Sequence, residues 1–117
     1  ANALFSFELS HRLKGTGLIS NAVHPGSVLT NIVHSAPNET REQVKEYAHK
    51  LKTPAQGAAT QVYVATSPKL DGVSGAFFAD CNPVVINHSH FLVDKALAEQ
   101  LWRVGEEMAG NHIRGNP

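Results

Sequence analysis

The sequence is short of several things that decide function classes. One cysteine, Cys81, among 117 residues excludes an internal disulfide framework and a cysteine zinc cluster. Charged residues make up 17%, low against the ~25% usual in soluble domains, so we expect part of the surface to be covered by something else. The 10 Lys plus Arg and 10 Asp plus Glu cancel, which argues against an electrostatic nucleic-acid binder or a polybasic membrane module. No apolar run approaches the ~18 residues of a membrane-spanning helix. No basic n-region with a following apolar h-region marks a signal peptide, so the default compartment is cytoplasmic. The one methionine is Met108 and the first residue is Ala1. A helical pattern starts at once, without a capping residue, and we read this start as a cut inside an element of a longer protein.

What is present fits an α/β pattern. Ala1, Phe5, Leu9 and Leu13 form an i, i+4 row widened by Leu4 and Phe7, which predicts a helix over 1–14. Asn2, Ser6, Ser10 and Lys14 make a polar row beside it, and Gly15 and Gly17 stop the helix. Leu18 to Val23 reads as a buried strand, ended by the turn His24-Pro25-Gly26. Residues 27–38 look irregular. Thr40 with Gln43 suggests a capping box for a helix over about 41–51. Thr53-Pro54-Ala55-Gln56 is a stronger start, with Thr53 as cap and Pro54 at the first position. That helix runs through Ala55, Ala58, Ala59, Val62 and Ala65, an alanine face expected to lie close against a sheet. Ala76-Phe77-Phe78-Ala79 is a second buried strand. A last helix over about 92–109 carries Val93, Leu97, Leu101, Val104 and Met108 in period, with Gly110 as its stop. Two short strands spaced by helices imply parallel crossovers. Two strands cannot shield four helices, so most of the sheet is missing.

The sharpest local feature is His24-Pro25-Gly26-Ser27-Val28-Leu29-Thr30. It follows the C-terminal end of a parallel strand, where open α/β sheets bind ligands. The Pro-Gly turn lets backbone approach a ligand, and Thr30 offers a hydroxyl and backbone amides to a phosphate. An ordinary strand-ending turn explains the same residues. His88 and His90 are spaced to share a zinc ion with a third ligand such as Asp80 or His24, but nothing forces them together and loop histidines are the simpler reading. Cys81 beside a strand is more simply a packed residue than a nucleophile. Trp102 fits the core edge of an amphipathic helix better than a partner anchor, and Glu106 with Glu107 a solvated face.

At this point the sequence resembles the short-chain dehydrogenases/reductases, Rossmann-type enzymes, near the retinol dehydrogenases, protochlorophyllide reductases and WW-domain-containing oxidoreductases. Ala1 to Phe5 resembles the stretch after the family's catalytic Tyr-x-x-x-Lys. Gly15-Thr16-Gly17 and Asn21-Ala22-Val23-His24-Pro25-Gly26 resemble the next strand and its Pro-Gly cofactor loop. Thr53 to Ala58 resembles the start of the following helix, Ser74 to Cys81 the last core strand, and Leu101-Trp102-Arg103-Val104 the tail helix. The resemblance spans nearly the whole chain, in order.

It implies the C-terminal portion of a doubly wound parallel sheet, with two short strands and about four helices of a single NAD(P)-binding Rossmann domain. It implies that Pro25 and Gly26 line the nicotinamide side of the cofactor, that Val28 and Thr30 contact its carboxamide or pyrophosphate, and that residues 32–51 cover a small-molecule substrate. From the subgroup, NADP(H) stands ahead of NAD(H). The family's Gly-rich phosphate loop is absent. Neither tyrosine carries the expected lysine: Leu51 follows Tyr47 and Ser67 follows Tyr63 at the fourth position. The catalytic Ser, Tyr and Lys are therefore expected upstream of Ala1, and the chain alone is expected to be inactive. The helix row Asn2, Ser6 and Ser10 reads equally as a homodimer contact, as the resemblance implies, or as a solvated stripe. A non-enzymatic alternative also stands: a binding or regulatory module pairing with a full-length reductase subunit through an exposed sheet edge.

Overall fold

The computed structural model describes residues 1–31, 35, 37–87 and 94–114. Its elements are α1 (Asn2–Arg12), β1 (Ala22–His24), α2 (Asn38–Tyr47), α3 (Pro54–Thr66), β2 (Phe77–Ala79), β3 (Asn82–Pro83) and α4 (Lys95–Arg114). Strand order is β1-β2-β3. β1 and β2 are parallel, with Val23 opposite Phe78, so α2 and α3 lie in the crossover between them. This is an α/β arrangement on an open sheet, an incomplete Rossmann-type portion.

The sheet is mixed rather than purely parallel, because the chain reverses at Asp80-Cys81. Both residues have positive φ, 50° and 58°, as a two-residue type I′ hairpin turn requires. β3 then pairs antiparallel to β2, with Asn82 opposite Ala79. The sequence reading missed this third strand because Asp80 is followed by Cys81 rather than by the glycine that usually completes such a turn. The first strand is also shorter than the expected 18–23. Asn21 replaces ladder bonds with its side chain: Nδ2 donates to Val73 O at 2.7 Å and Oδ1 accepts from Ala76 N–H at 3.0 Å. Leu18 and Ile19 remain exposed.

The helices form where expected but turn different faces inward. On α1 the polar row is partly interior: Ser6 and Ser10 are buried. Ser6 Oγ bonds Ser20 Oγ at 2.9 Å, and Ser10 Oγ donates to Phe7 O at 2.7 Å. Small hydroxyls let α1 approach the β1–β2 layer so closely that a Cβ on Gly75 would lie 2.6 Å from Ser10 Oγ. Only Asn2 and Lys14 of that row are exposed, so it is not a solvated stripe. On α3 the alanine face is the outer one, and Val62 is exposed with it. Gly57 and Thr60 are the buried residues, and Tyr63 meets Phe78 edge-on at 6.5 Å.

α3 begins as the sequence says. Thr53 Oγ1 accepts from Gln56 N–H and Gln56 Oε1 accepts from Thr53 N–H, a complete capping box. The Thr40–Gln43 box does not form. α2 starts earlier, after Pro37, without a side-chain cap, since proline's fixed φ presets the entry to a helix. α4 runs past Gly110 to Arg114, because a glycine inside a helix costs only about 1 kcal/mol. Asp94 Oδ1 accepts from Leu97 N–H at its start. α4 docks on α1 through Phe5 and Trp102, stacked at 4.9 Å and 16°, with the Arg12 guanidinium 4.5 Å from the Trp102 ring. Arg12 is held there by Glu8 at 2.7 Å. Trp102 thus sits at a core edge. Ala98, fully buried, completes the α4 contact face with it.

Candidate functional site

The chain leaves β1 at His24 and turns over the C-terminal end of the parallel pair. Gly26 has φ +82°, a conformation that glycine takes at no steric cost. Its N–H donates to His24 Nδ1 at 3.0 Å, which closes the turn. Pro25 has no N–H to offer. The first two loop residues therefore give shape rather than donors.

The next three residues run beside Lys52 as a parallel bridge centred on Val28. Lys52 N–H donates to Ser27 O and Lys52 O accepts from Leu29 N–H, both at 2.9 Å. Successive backbone groups in extended chain point to opposite sides. Val28 N–H therefore faces away from Lys52, and no hydrogen bond among the described residues uses it. The Thr30 N–H and hydroxyl are likewise unused among the described residues. Val28's side chain is fixed from behind, because Gly57 at the start of α3 leaves no room for anything larger than hydrogen beside it.

Lys52 and Asp80 are two residues of this site that sequence reasoning missed. Lys52 Nζ donates to Pro25 O at 3.2 Å and pairs with the Asp80 carboxylate. The Lys52 ammonium, through its hydrogen bond and its charge, holds the Asp80 carboxyl below its usual value, with a smaller contribution from His24. Both partners lie more than 25 positions away from Lys52, so no local pattern announced them.

Beyond Val28 the loop forms one wall of a cavity of about 420 Å³. Leu29, Thr30 and Asn31 line one side. Arg41, Val44, Lys45 and Ala48, from α2 and the turn after it, line the other. Of the expected residues, the structure thus gathers Pro25, Gly26, Val28 and Thr30 on one loop and sets part of the 32–51 segment across from it. Residues 32–34 and 36 lie outside the described residues.

The metal expectation finds less. His88 and His90 lie outside the described residues, and among the described residues no group of three His, Cys, Asp or Glu side chains could hold an ion. Asp80 is engaged with Lys52. Cys81 is a free thiol of intermediate exposure, packed 4.0 Å from Thr60 Oγ1. Among the described residues no helix is long and apolar enough to cross a membrane.

Comparison with known proteins now bears on this geometry. The chain is 38% identical over 114 residues to retinol dehydrogenase 14 of Homo sapiens, covering 94% of this chain and 33% of that protein. It is 41% identical over 105 residues to the short-chain dehydrogenase TIC 32 B, chloroplastic, of Brassica napus, covering 87% and 32%. It is 36% identical over 116 residues to retinol dehydrogenase 12 of Mus musculus, covering 94% and 34%. The chain is homologous to the short-chain dehydrogenases/reductases. It spans about a third of the length of the curated relatives it matches. No protein-family model matches the chain. The relatives include a chloroplast protein, so kinship gives no single compartment.

Proposed function

We propose that these residues form the nicotinamide side and the substrate cover of an NAD(P)-dependent oxidoreductase, part of one Rossmann domain. The reaction moves hydride between the cofactor and a small-molecule carbonyl, alcohol or C=C substrate. The observation that supports this is the division of labour in the loop. Pro25 and Gly26 bring backbone close, Val28 N–H remains unspent, and the Thr30 donors remain unspent on the wall of a cavity. Unused donors on a loop at the C-terminal end of parallel strands suit a carboxamide or a pyrophosphate.

When bound, NAD(P)(H) supplies or accepts the hydride. The chain's own work is to orient and enclose. Val28 N–H would hold the carboxamide, Thr30 the carboxamide or the pyrophosphate, and Leu29, Val44 and Ala48 would keep water from the substrate. NADP(H) stands ahead of NAD(H) on the resembling subgroup alone. None of these residues supplies the family's Tyr-x-x-x-Lys or catalytic Ser, so the 117-residue chain by itself does not catalyse hydride transfer. A homodimer through α1 would use its outward residues, since Ser6 and Ser10 are already engaged. The second reading, a non-catalytic partner of a full-length reductase, draws on the edge of β1, which pairs only with β2 among the described residues.

The test is a nicotinamide absorbance assay with a carbonyl substrate. The full-length protein carrying this segment consumes NADPH or NADH, and the isolated 117-residue chain does not. Turnover by the isolated chain contradicts the incomplete site, and a full-length protein that binds no nicotinamide cofactor contradicts the reading.

A further inference from the structure

Lys52 holds the Pro25–Thr30 loop at several points at once. Its main chain takes Ser27 O and Leu29 N–H, and its side chain takes Pro25 O. The same side chain lies across Gly26, where a Cβ would stand 2.7 Å from Nζ. Its ammonium is then tied to Asp80 on the β2–β3 turn. The main-chain bonds survive any side chain at position 52. The side-chain bonds do not, and they restrain the stretch that is otherwise the most adaptable part of the loop, a glycine in a left-handed turn.

We propose that Lys52 and Asp80 form a latch that positions the Pro-Gly loop, so that Val28 N–H is already aimed when the nicotinamide arrives. This rests on the cofactor reading above. A loop ordered beforehand loses less entropy on binding than one that must be ordered by the ligand. Lys52 touches the loop and Asp80 holds the Lys52 ammonium, so they are positioning residues. The anchoring turn suits the task because Asp80 and Cys81 are fixed by the hairpin and by Cys81 N–H donating to Thr60 Oγ1 at 3.2 Å. His24 is the other titratable group facing Asp80.

The test compares two probes on the full-length protein by fluorescence titration. NADPH needs the nicotinamide loop, whereas adenosine 2′,5′-bisphosphate has no nicotinamide. Lys52→Met keeps the alkyl chain and the main-chain bonds but removes the ammonium. It is expected to weaken NADPH about five- to tenfold, the loss of about one ordinary hydrogen bond, with adenosine 2′,5′-bisphosphate binding unchanged. Asp80→Asn is expected to weaken NADPH in the same selective way, and the double variant to be no weaker than Lys52→Met. Unchanged NADPH affinity in both single variants overturns the latch. So does an equal loss of both probes, which marks a general structural role. A wild-type protein that binds neither NADPH nor NADH overturns the cofactor reading instead, and amide hydrogen exchange at Leu29 then decides the latch by itself: faster exchange in Lys52→Met supports it and unchanged exchange overturns it.

Discussion

Gly57 and Val28 are packed so closely that a Cβ on Gly57 would stand 2.6 Å from Val28 Cγ2 and 2.9 Å from Cγ1. The first turn of α3 and the Pro-Gly loop therefore form one unit, with a glycine as the spacer between them. Gly57→Ala gains about 1 kcal/mol of helix propensity but forces a β-branched side chain with little rotamer freedom to move. Overpacking of this kind costs about 1–3 kcal/mol. The expected outcome is a net loss of stability in urea unfolding, where an exposed helical Gly→Ala would give a gain. A gain at Gly57 would show that Val28 is free to move.

A second prediction concerns acid. Asp80 has a carboxyl held below its usual value by Lys52. A depressed folded-state value means that the pair stabilises the protein above the ordinary aspartate range and loses that contribution as pH falls through the lower, folded-state value. Asp80→Asn removes it at every pH. The difference in urea midpoint between wild type and Asp80→Asn is therefore expected near neutral pH and absent in strong acid. A difference that persists in acid would rule out the ion pair as its source.

Much of this arrangement could be read in the sequence, and the failures share a cause. Helices announced by apolar rows or by a capping box were found because their signals are local. Thr53, Pro54 and Gln56 settle the start of α3 within one turn of chain. The buried small residues Ser6, Ser10, Gly57 and Thr60 escaped a periodicity count because they look polar or neutral, yet close approach to the sheet requires them. The Pro25–Thr30 loop was legible from its position after a strand. Its clamp was not, because Lys52 and Asp80 are distant in sequence and neither belongs to a pattern. The β2–β3 hairpin was missed for a third reason: Asp80 tolerates a left-handed conformation but Cys81 after it has no such preference, so the turn is set by its surroundings.

The cap itself is testable. Thr53 directly follows Lys52, so the box that starts α3 also fixes the end of the bridge to the loop. Thr53→Ala is expected to cost about 1 kcal/mol, while Thr53→Ser is expected to cost less because it keeps the accepting hydroxyl. Chemical denaturation of the two variants checks the order.

The contact between α1 and α4 has a built-in reporter, since Trp102 is the single tryptophan. Phe5→Leu removes a stacked ring and is expected to lower stability by about 1 kcal/mol. It is also expected to shift Trp102 emission to the red as the indole gains water. Unchanged emission would place Trp102 away from Phe5.

The central claim is that Val28 and Thr30 present their donors to a nicotinamide cofactor. It is tested most directly by following their backbone amides by NMR in the full-length protein during cofactor titration. The account predicts that the Val28 and Thr30 resonances move on addition of NADPH and stay in place on addition of adenosine 2′,5′-bisphosphate. Resonances that ignore NADPH at concentrations that saturate the protein would contradict it.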